Sequence, residues 1–438
     1  MELIQLKDKF IKSGMDDVVL TRLTNNSTQI KFSNNKIVKT GTELIDYISI
    51  FLVKDKRILT TGIKDFSKQH IEKTIKTCSK LINNLPKKED YYGIAKGPFK
   101  YKKLKDGYDK KINSIDQIDF VDSAINASLA EGAKRTNGIF ETHEVDSRLL
   151  TSNNIDIKDK QTQLYLSIRS LIEKDSSGHI TISSRTLKNF NPEKAGKESG
   201  IIAKQSLNPQ PGKGGEYDIL FSPLAFAPLL SIIGESASAF SVDAGLSFLE
   251  GMINKKVSNN NITIIDDPYY PNALRSTSFD DEGYPTKPLK LIYKGIFKTY
   301  LHNTSTARKY NTKTTGHAGL ISPTPWNVKL NPGKLSNDKL IQNIKKGIYI
   351  TNIWYTRFTS YKTGEFSTIP RDGAFYIENG EIKYPIKNIR VSDTMPNILK
   401  NIEEIGNNLT QIRSWEAGLP VLTPSVFLKD IGITTPTS

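Results

Sequence analysis

Between Val18 and Thr61 the apolar positions come in short alternating runs, VVLTRL, TQIKF, DYISIFLV and RILTTG. The polar pairs Asn25-Asn26 and Asn34-Asn35 separate the first three. A period of two broken by turn-forming residues predicts an antiparallel meander. The period then changes. Ile71, Ile75, Cys78 and Ile82 form one apolar stripe within Phe66–Asn84, with Lys68, Lys73, Lys76 and Lys80 off it, as in an amphipathic helix. Residues 86–113 keep no period and predict a connecting segment. Ser114 is placed to cap a helix running to about Glu131, with Ile115, Ile118, Val121, Ile125 and Leu129 on one side. Glu141–Leu187 returns to alternation, with turns at Ser152-Asn153-Asn154 and Ser176-Ser177-Gly178.

Residues 208–215, NPQPGKGG, are the clearest boundary along the chain. Beyond them Tyr217–Ser222 reads as a strand and Ser222–Lys255 as mostly helical. Leu289–Tyr300 folds back at Lys294-Gly295, and AFYIENGEIKYPI turns at Asn379-Gly380, a strong two-residue hairpin signal. Ile398–Ile405 reads as a last short helix stopped by Gly406. Strand clusters with segregated helices give an α+β class. The expected organisation is an N-terminal α+β domain over 1–110, a middle helix-plus-strands segment over 111–207, and a C-terminal mixed α/β domain over 208–438 that is rich in antiparallel hairpins.

Composition narrows the function classes. With 37% hydrophobic and 24% charged residues, the 438-residue chain has the profile of a folded, soluble protein. No run approaches the roughly 18 apolar residues of a membrane span. The first ten residues, MELIQLKDKF, lack the apolar core of a secretory signal, so a cytoplasmic protein without a membrane association is expected. The single cysteine excludes an internal disulfide and a thiolate-rich metal cluster. Of the net charge of +15, residues 1–110 supply +10, from 23 Lys and Arg against 13 Asp and Glu. The lysines that carry it lie on the solvated face of the amphipathic helix without Arg or aromatic interleaving, which disfavours a nucleic-acid footprint.

The residues do not offer a self-sufficient catalytic set. Catalytic zinc takes about three protein ligands and one open position. The five histidines, His70, His143, His179, His302 and His317, include no helical pair. His143-Glu144 opens like a zinc-helix motif, but no second histidine follows. Asp280-Asp281-Glu282, followed by Gly283, reads as an exposed turn or a hard-cation cluster. Gly-Lys at 212–213 lacks the rest of a phosphate loop, there is no Gly-x-Ser-x-Gly elbow, and Ser336-Asn-Asp-Lys339 stands without partner motifs. Cys78, on the buried stripe, is a core residue rather than a nucleophile. Two alternatives remain from the residues alone. One is a metallopeptidase acting by itself, with a metal held by His302 or His317 and the acids near 280; the other is a basic nucleic-acid-associated protein.

The C-terminal half carries spaced motifs that change this reading. They are Asp266-Asp267-Pro268, Phe279-Asp-Asp-Glu-Gly283, the Lys294-Gly295-Ile-Phe-Lys-Thr-Tyr-Leu301 hairpin and Thr315-Gly316. Gly347-Ile-Tyr-Ile, Gly364-Glu-Phe-Ser367 and Ala374-Phe-Tyr-Ile-Glu-Asn-Gly380 follow in order. From about 215 to 438 the chain resembles the TldD/PmbA family, also called the TldD/TldE or modulator of DNA gyrase family; over the first 200 residues the likeness is weaker but consistent. The resemblance implies a dimeric intracellular metalloprotease that binds unfolded or leader peptides as an added strand. In its TldD-type subunit, a His-Glu-x-x-x-His helix and a C-terminal cysteine form the zinc site. Here Ser231, Ile232 and Ser236 fall at the helix positions, and the C-terminal region reads Trp415-Glu-Ala-Gly-Leu-Pro-Val-Leu-Thr without cysteine. The resemblance therefore implies a TldE/PmbA-type subunit with no metal or cofactor of its own. Zinc is expected in a TldD-type partner, which is a paralogue, or a second copy takes the partner's place. Asp280, Asp281 and Glu282 are implied at a substrate or interface surface.

Overall fold

The computed structural model describes residues 2–435. Its N-terminal half is built on one six-stranded antiparallel sheet. The strands are β1 (Asp17–Ser33), β2 (Lys36–Lys54), β3 (Arg57–Ile63), β4 (Arg135–Thr151), β5 (Asp156–Leu171) and β6 (Ser177–Ser184), in the order β3-β2-β1-β4-β5-β6. Strands from residues 1–110 and 111–207 thus share one sheet, joined where β1 pairs with β4. The turn at Asn34-Asn35 forms, with φ of 50° and 65°, a backbone that Asn tolerates better than most residues. The expected turn at Asn25-Asn26 does not. β1 runs straight through it, Asn25 opposite Ile45 on one side and Val145 on the other. Two long neighbours supply a continuous ladder of hydrogen bonds there, which outweighs the local turn preference of two asparagines.

Both faces of the β1–β2 end are covered, and the alternation sorts the side chains. Val18 and Leu20 pack with Leu6 and Phe10 of helix α1 (Leu3–Lys12), with Ile71 and Cys78 of helix α2 (Lys68–Leu81), and with Ile82 in the 3-10 turn that follows it. Val19, Phe51 and Val53 face the other way, against Ile94 and Ala95. The residues read as a connecting segment, 86–113, are therefore a strap. Phe99 stacks edge-on against Tyr284 at 5.2 Å, and Tyr101 donates to the Gly283 carbonyl at 2.8 Å.

Helix α3 spans Gln117–Ala130, and its cap is Asp116, whose carboxylate accepts from the backbone of Ile118 and Asp119. Ser114 instead closes a short 3-10 turn, so the expected cap shifts by two residues, and Ile118 stays exposed. One carboxylate oxygen of Asp116, Oδ1, serves both free amides, as an N-cap side chain does. Helix α4 (Pro192–Gln205) lies against α3 through small residues: a Cβ on Gly196 would sit 2.0 Å from the Ala124 carbonyl oxygen.

The C-terminal half carries a ten-stranded mixed sheet and a second six-stranded sheet, with helix α5 (Pro223–Ser236) buried between them. Gly215–Phe221 enters the larger sheet parallel to Lys346–Ile350 and antiparallel to Val426–Thr434. The hairpins at Lys294-Gly295 and Asn379-Gly380 form as expected. The last expected helix does not run to Ile405. Met395–Lys400 is helical, and Ile402–Ile405 is a strand paired with Val426–Leu428. β-branched Ile402 and Ile405 are buried in that pairing.

Candidate functional site

Helix α5 begins at Ser222, whose hydroxyl accepts from the Ala225 amide, and Pro223 fits the first turn because its missing N–H has no partner to lose. It is apolar all round, which suits a helix enclosed between two sheets. Its last turn therefore sits at a fixed place beside the loop at 415–419. Ser231 is fully buried and donates to Glu235 Oε1 at 2.8 Å, while the Leu419 amide donates to Ser231 Oγ at 3.0 Å. Ile232 is partly buried against the core, and Ser236 is buried with its carbonyl accepting from Ser247. A side chain at position 418 would collide with Glu235, since a Cβ on Gly418 lies 2.6 Å from its Oε1. Burial raises the Glu235 carboxyl above its usual range; Ser231 and the more distant Arg275 oppose that.

Two hydroxyls and an aliphatic side chain at 231, 236 and 232 are a poor donor set for zinc, which takes imidazole, thiolate or carboxylate ligands. Among the described residues no group of three or more His, Cys, Asp and Glu is arranged to hold a metal ion. The residues at these positions do not fit the group. His302 and His317 do not converge with the acids at 280–282 on a common point. His317 is 2.8 Å from Asp266 through Nε2 and 3.0 Å from the Thr315 carbonyl through Nδ1. His302 lies against Tyr310, and burial pushes its pKa down to about 4.

The acidic trio is split by the fold. Asp280 and Glu282 are buried, at 1% and 2% exposure, and not in the exposed turn that three adjacent acids suggest. Asp280 accepts from the amides of Glu282, Tyr284 and Ala318. Glu282 accepts from the amides of Ala95 in the strap and Thr304, and from the Thr304 hydroxyl. Each carboxylate thus ties separate stretches of chain together. Burial raises both pKa values, Glu282 to about 7; the Glu282 charge pushes Asp280 up further, and that of Asp17 does the same to Glu282. Asp281, between them, is exposed. Desolvation raises its pKa to about 6, and Arg275 pulls it back.

The Glu282 shift has a measurable sign. Stability linked to it is fully present below 4.5 and is lost as pH rises through about 7. His179 and His302, both lowered to about 4, contribute the opposite slope, lost as pH falls from 6.5. The difference between Glu282→Gln and wild type isolates the acid. The melting temperature of the variant relative to wild type is expected to rise by roughly 3 °C or more from pH 5 to pH 8. A difference that stays flat across that range would refute the assignment.

Next to Asp281, Asp266 has no solvent exposure and accepts from the amides of Trp326 (2.8 Å) and Asn327 (2.6 Å). Asn327 in turn accepts from the Arg275 amide at 3.1 Å, and the Arg275 guanidinium lies over the Trp326 ring. Beside this network a cleft of about 360 Å³ opens, lined by Glu235, Ser238, Ser322, Thr324 and Leu419. The sequence motifs included Asp266 but gave no signal for Glu235 or Arg275, which are joined to the site only by folding.

Residues 214–435 match the family profile described as the PmbA/TldA metallopeptidase C-terminal domain. The chain belongs to the PmbA/TldD family. A metalloprotease of Methanothermobacter thermautotrophicus is 27% identical over 311 residues, 68% of each chain. A metalloprotease PmbA homologue of Buchnera aphidicola is 32% identical over 244 residues, covering 55% of this chain and 52% of that one. TldE from Thermococcus kodakarensis superimposes with a TM-score of 0.87 at 20% identity, over 99% of both chains. A Thermotoga maritima protein described as a modulator of a DNA gyrase gives the same score at 22% identity, over 99% of this chain and 100% of that one. The PmbA/TldD fold is thus an α+β fold spanning the whole described chain, and among the described residues no helix is long and apolar enough to cross a membrane.

Proposed function

We propose that this chain is the non-catalytic subunit of a TldD/TldE-type metalloprotease. It forms one wall of a chamber that holds unfolded or leader peptides against the zinc of a TldD-type partner in the cytoplasm. The observation that carries the reading is the filled ligand position on α5. Ser231 is bonded to Glu235 and to the Leu419 amide, and Gly418 leaves room for the Glu235 carboxylate where a longer side chain would collide. A complete fold around a position unsuited to zinc fits a chain that shapes and stabilises rather than cleaves.

Peptide capture by strand addition suits this role, because backbone hydrogen bonds supply affinity with little demand on side chains. Of the acidic trio, Asp281 is the member placed to meet a peptide. Asp280 and Glu282 hold the loop that presents it.

The test pairs metal content with activity. The chain purified without chelators is expected to carry less than about a tenth of an equivalent of zinc and to leave an unfolded peptide uncut. Mixed with a TldD-type paralogue, it is expected to form a complex that cleaves the peptide faster than the paralogue alone. One equivalent of zinc with turnover by this chain alone, or no effect on the paralogue, would overturn the proposal.

A further inference from the structure

Arg275, whose charge acts on Glu235 in the lining of the cleft, is a charged side chain whose placement the fold leaves unanswered. Among the described residues its Nε is buried without a hydrogen-bond partner. No carboxylate reaches ion-pair distance, although Asp266, Asp281 and Glu235 all act on its charge from farther off. Two of those acids are committed elsewhere: Asp266 to two amides and His317, and Glu235 to Ser231. Burial draws the guanidinium pKa down, yet arginine stays charged in proteins. A buried charge lacking a contacting counter-ion is costly, and buried, perturbed charges cluster at functional sites.

The surroundings hold this guanidinium in place. Trp326 supplies a flat face 5.5 Å from it, and the Trp326 indole N–H is itself fixed on the Gly316 carbonyl at 2.9 Å. Asn327 anchors the Arg275 backbone, and Asp266 pins both Trp326 and Asn327. The residue is not sealed off, since it keeps partial solvent exposure. A guanidinium fork held against an aromatic face matches the two oxygens of a carboxylate.

We propose that Arg275 binds a carboxylate carried by an extended peptide, supplied either by a free C-terminus or by an Asp or Glu side chain. This rests on the peptide-chamber reading above and adds to it the chemical group that the chamber selects. Asp281 and Glu235 lie close enough to disfavour a second negative charge, so one carboxylate per peptide is accepted at this point.

The full chain would be titrated calorimetrically with an unstructured hexapeptide of Gly, Ser and Ala. Three forms are compared: the free acid, the C-terminal amide, and the amide with one internal Glu. At least one carboxylate-bearing form is expected to bind about tenfold more tightly than the neutral amide or better, and the stronger of the two names the source. Arg275→Gln is expected to erase that preference and Arg275→Lys to restore part of it, because the ammonium keeps the charge without the fork. Arg275→Gln is also expected to melt at or above the wild-type temperature, as removal of an unpaired charge at a functional site commonly does. Equal binding of all three peptides, a preference that survives in Arg275→Gln, or a clear loss of melting temperature in that variant would overturn the proposal.

A second measurement separates this inference from the reading beneath it. Phenylglyoxal modification of Arg275, followed by mass spectrometry, is expected to be slowed by N-acetylglycine and not by N-acetylglycinamide. Protection without binding of any peptide would sink the chamber reading and leave the carboxylate site standing. Peptide binding that ignores the carboxylate, without protection, would do the reverse.

Discussion

Asp266→Ala is expected to destabilise the protein by about 3–5 kcal/mol, the cost of leaving several buried groups without their shared acceptor. The substitution strands three groups at once. The amides of Trp326 and Asn327 lose their acceptors, and His317, with no solvent exposure, loses the carboxylate 2.8 Å away. Each buried donor left unmade costs its own desolvation, about 1–3 kcal/mol. Urea denaturation followed by circular dichroism reads the loss. The double variant with His317→Ala is expected to fall short of the sum of the two single losses, since both remove the same contact. A single-variant loss under about 1 kcal/mol would mean that water replaces the carboxylate and that the network does not order the site. Because Asp266 also fixes Trp326 and Asn327, the variant should lose any discrimination that depends on where Arg275 is held.

Gly196→Ala carries the second large effect, in the N-terminal half. In an isolated helix the change would gain nearly 1 kcal/mol of helix propensity. Here the new methyl group would lie 2.0 Å from the Ala124 carbonyl oxygen and 2.9 Å from its Cα. That is backbone, so no rotamer change relieves it, and α3 and α4 must move apart. Their separation would break the contacts that Val121, Ile125 and Ala195 make over Phe140 and Leu164. Overpacking of this kind costs about 1–3 kcal/mol and occasionally more, so a net loss of roughly 2 kcal/mol remains after the propensity gain. Gly41→Ala is the control, because its Cβ would meet nothing within 4 Å; it is expected to change stability by no more than about 0.5 kcal/mol. Equal effects at the two positions would refute the close approach of the helices.

Local pattern carried much of the architecture. Period-two alternation located the β2–β3 region, helical spacing placed α2 with Ile71 and Cys78 inward, and Asn-Gly and Lys-Gly pairs marked two hairpins that form. These features are legible because each depends on neighbours within a few residues. The failures share the opposite cause. Asn25-Asn26 looks like a turn until strands from residues 36–54 and 135–151 pair along it. Ile402–Ile405 looks helical until a strand more than twenty residues later takes it into the sheet. The strap at 86–113 shows no period because its apolar residues answer to Phe279 and Tyr284, far along the chain, and not to one another.

The site divides in the same way. By itself the sequence determined that Ser231, Ile232 and Ser236 carry no zinc-ligating side chain, and the ordered motifs from Asp266 to Gly380 carried the family resemblance. Only the tertiary structure decided that Asp280 and Glu282 turn inward as tethers while Asp281 stays exposed. It alone joined Glu235 to Gly418 and left Arg275 over Trp326 without a partner. Side-chain identity fixes which chemistry a residue can perform. Burial and partners fix whether that chemistry is spent inside the fold or left for a ligand, and those come from contacts between residues tens to hundreds of positions apart.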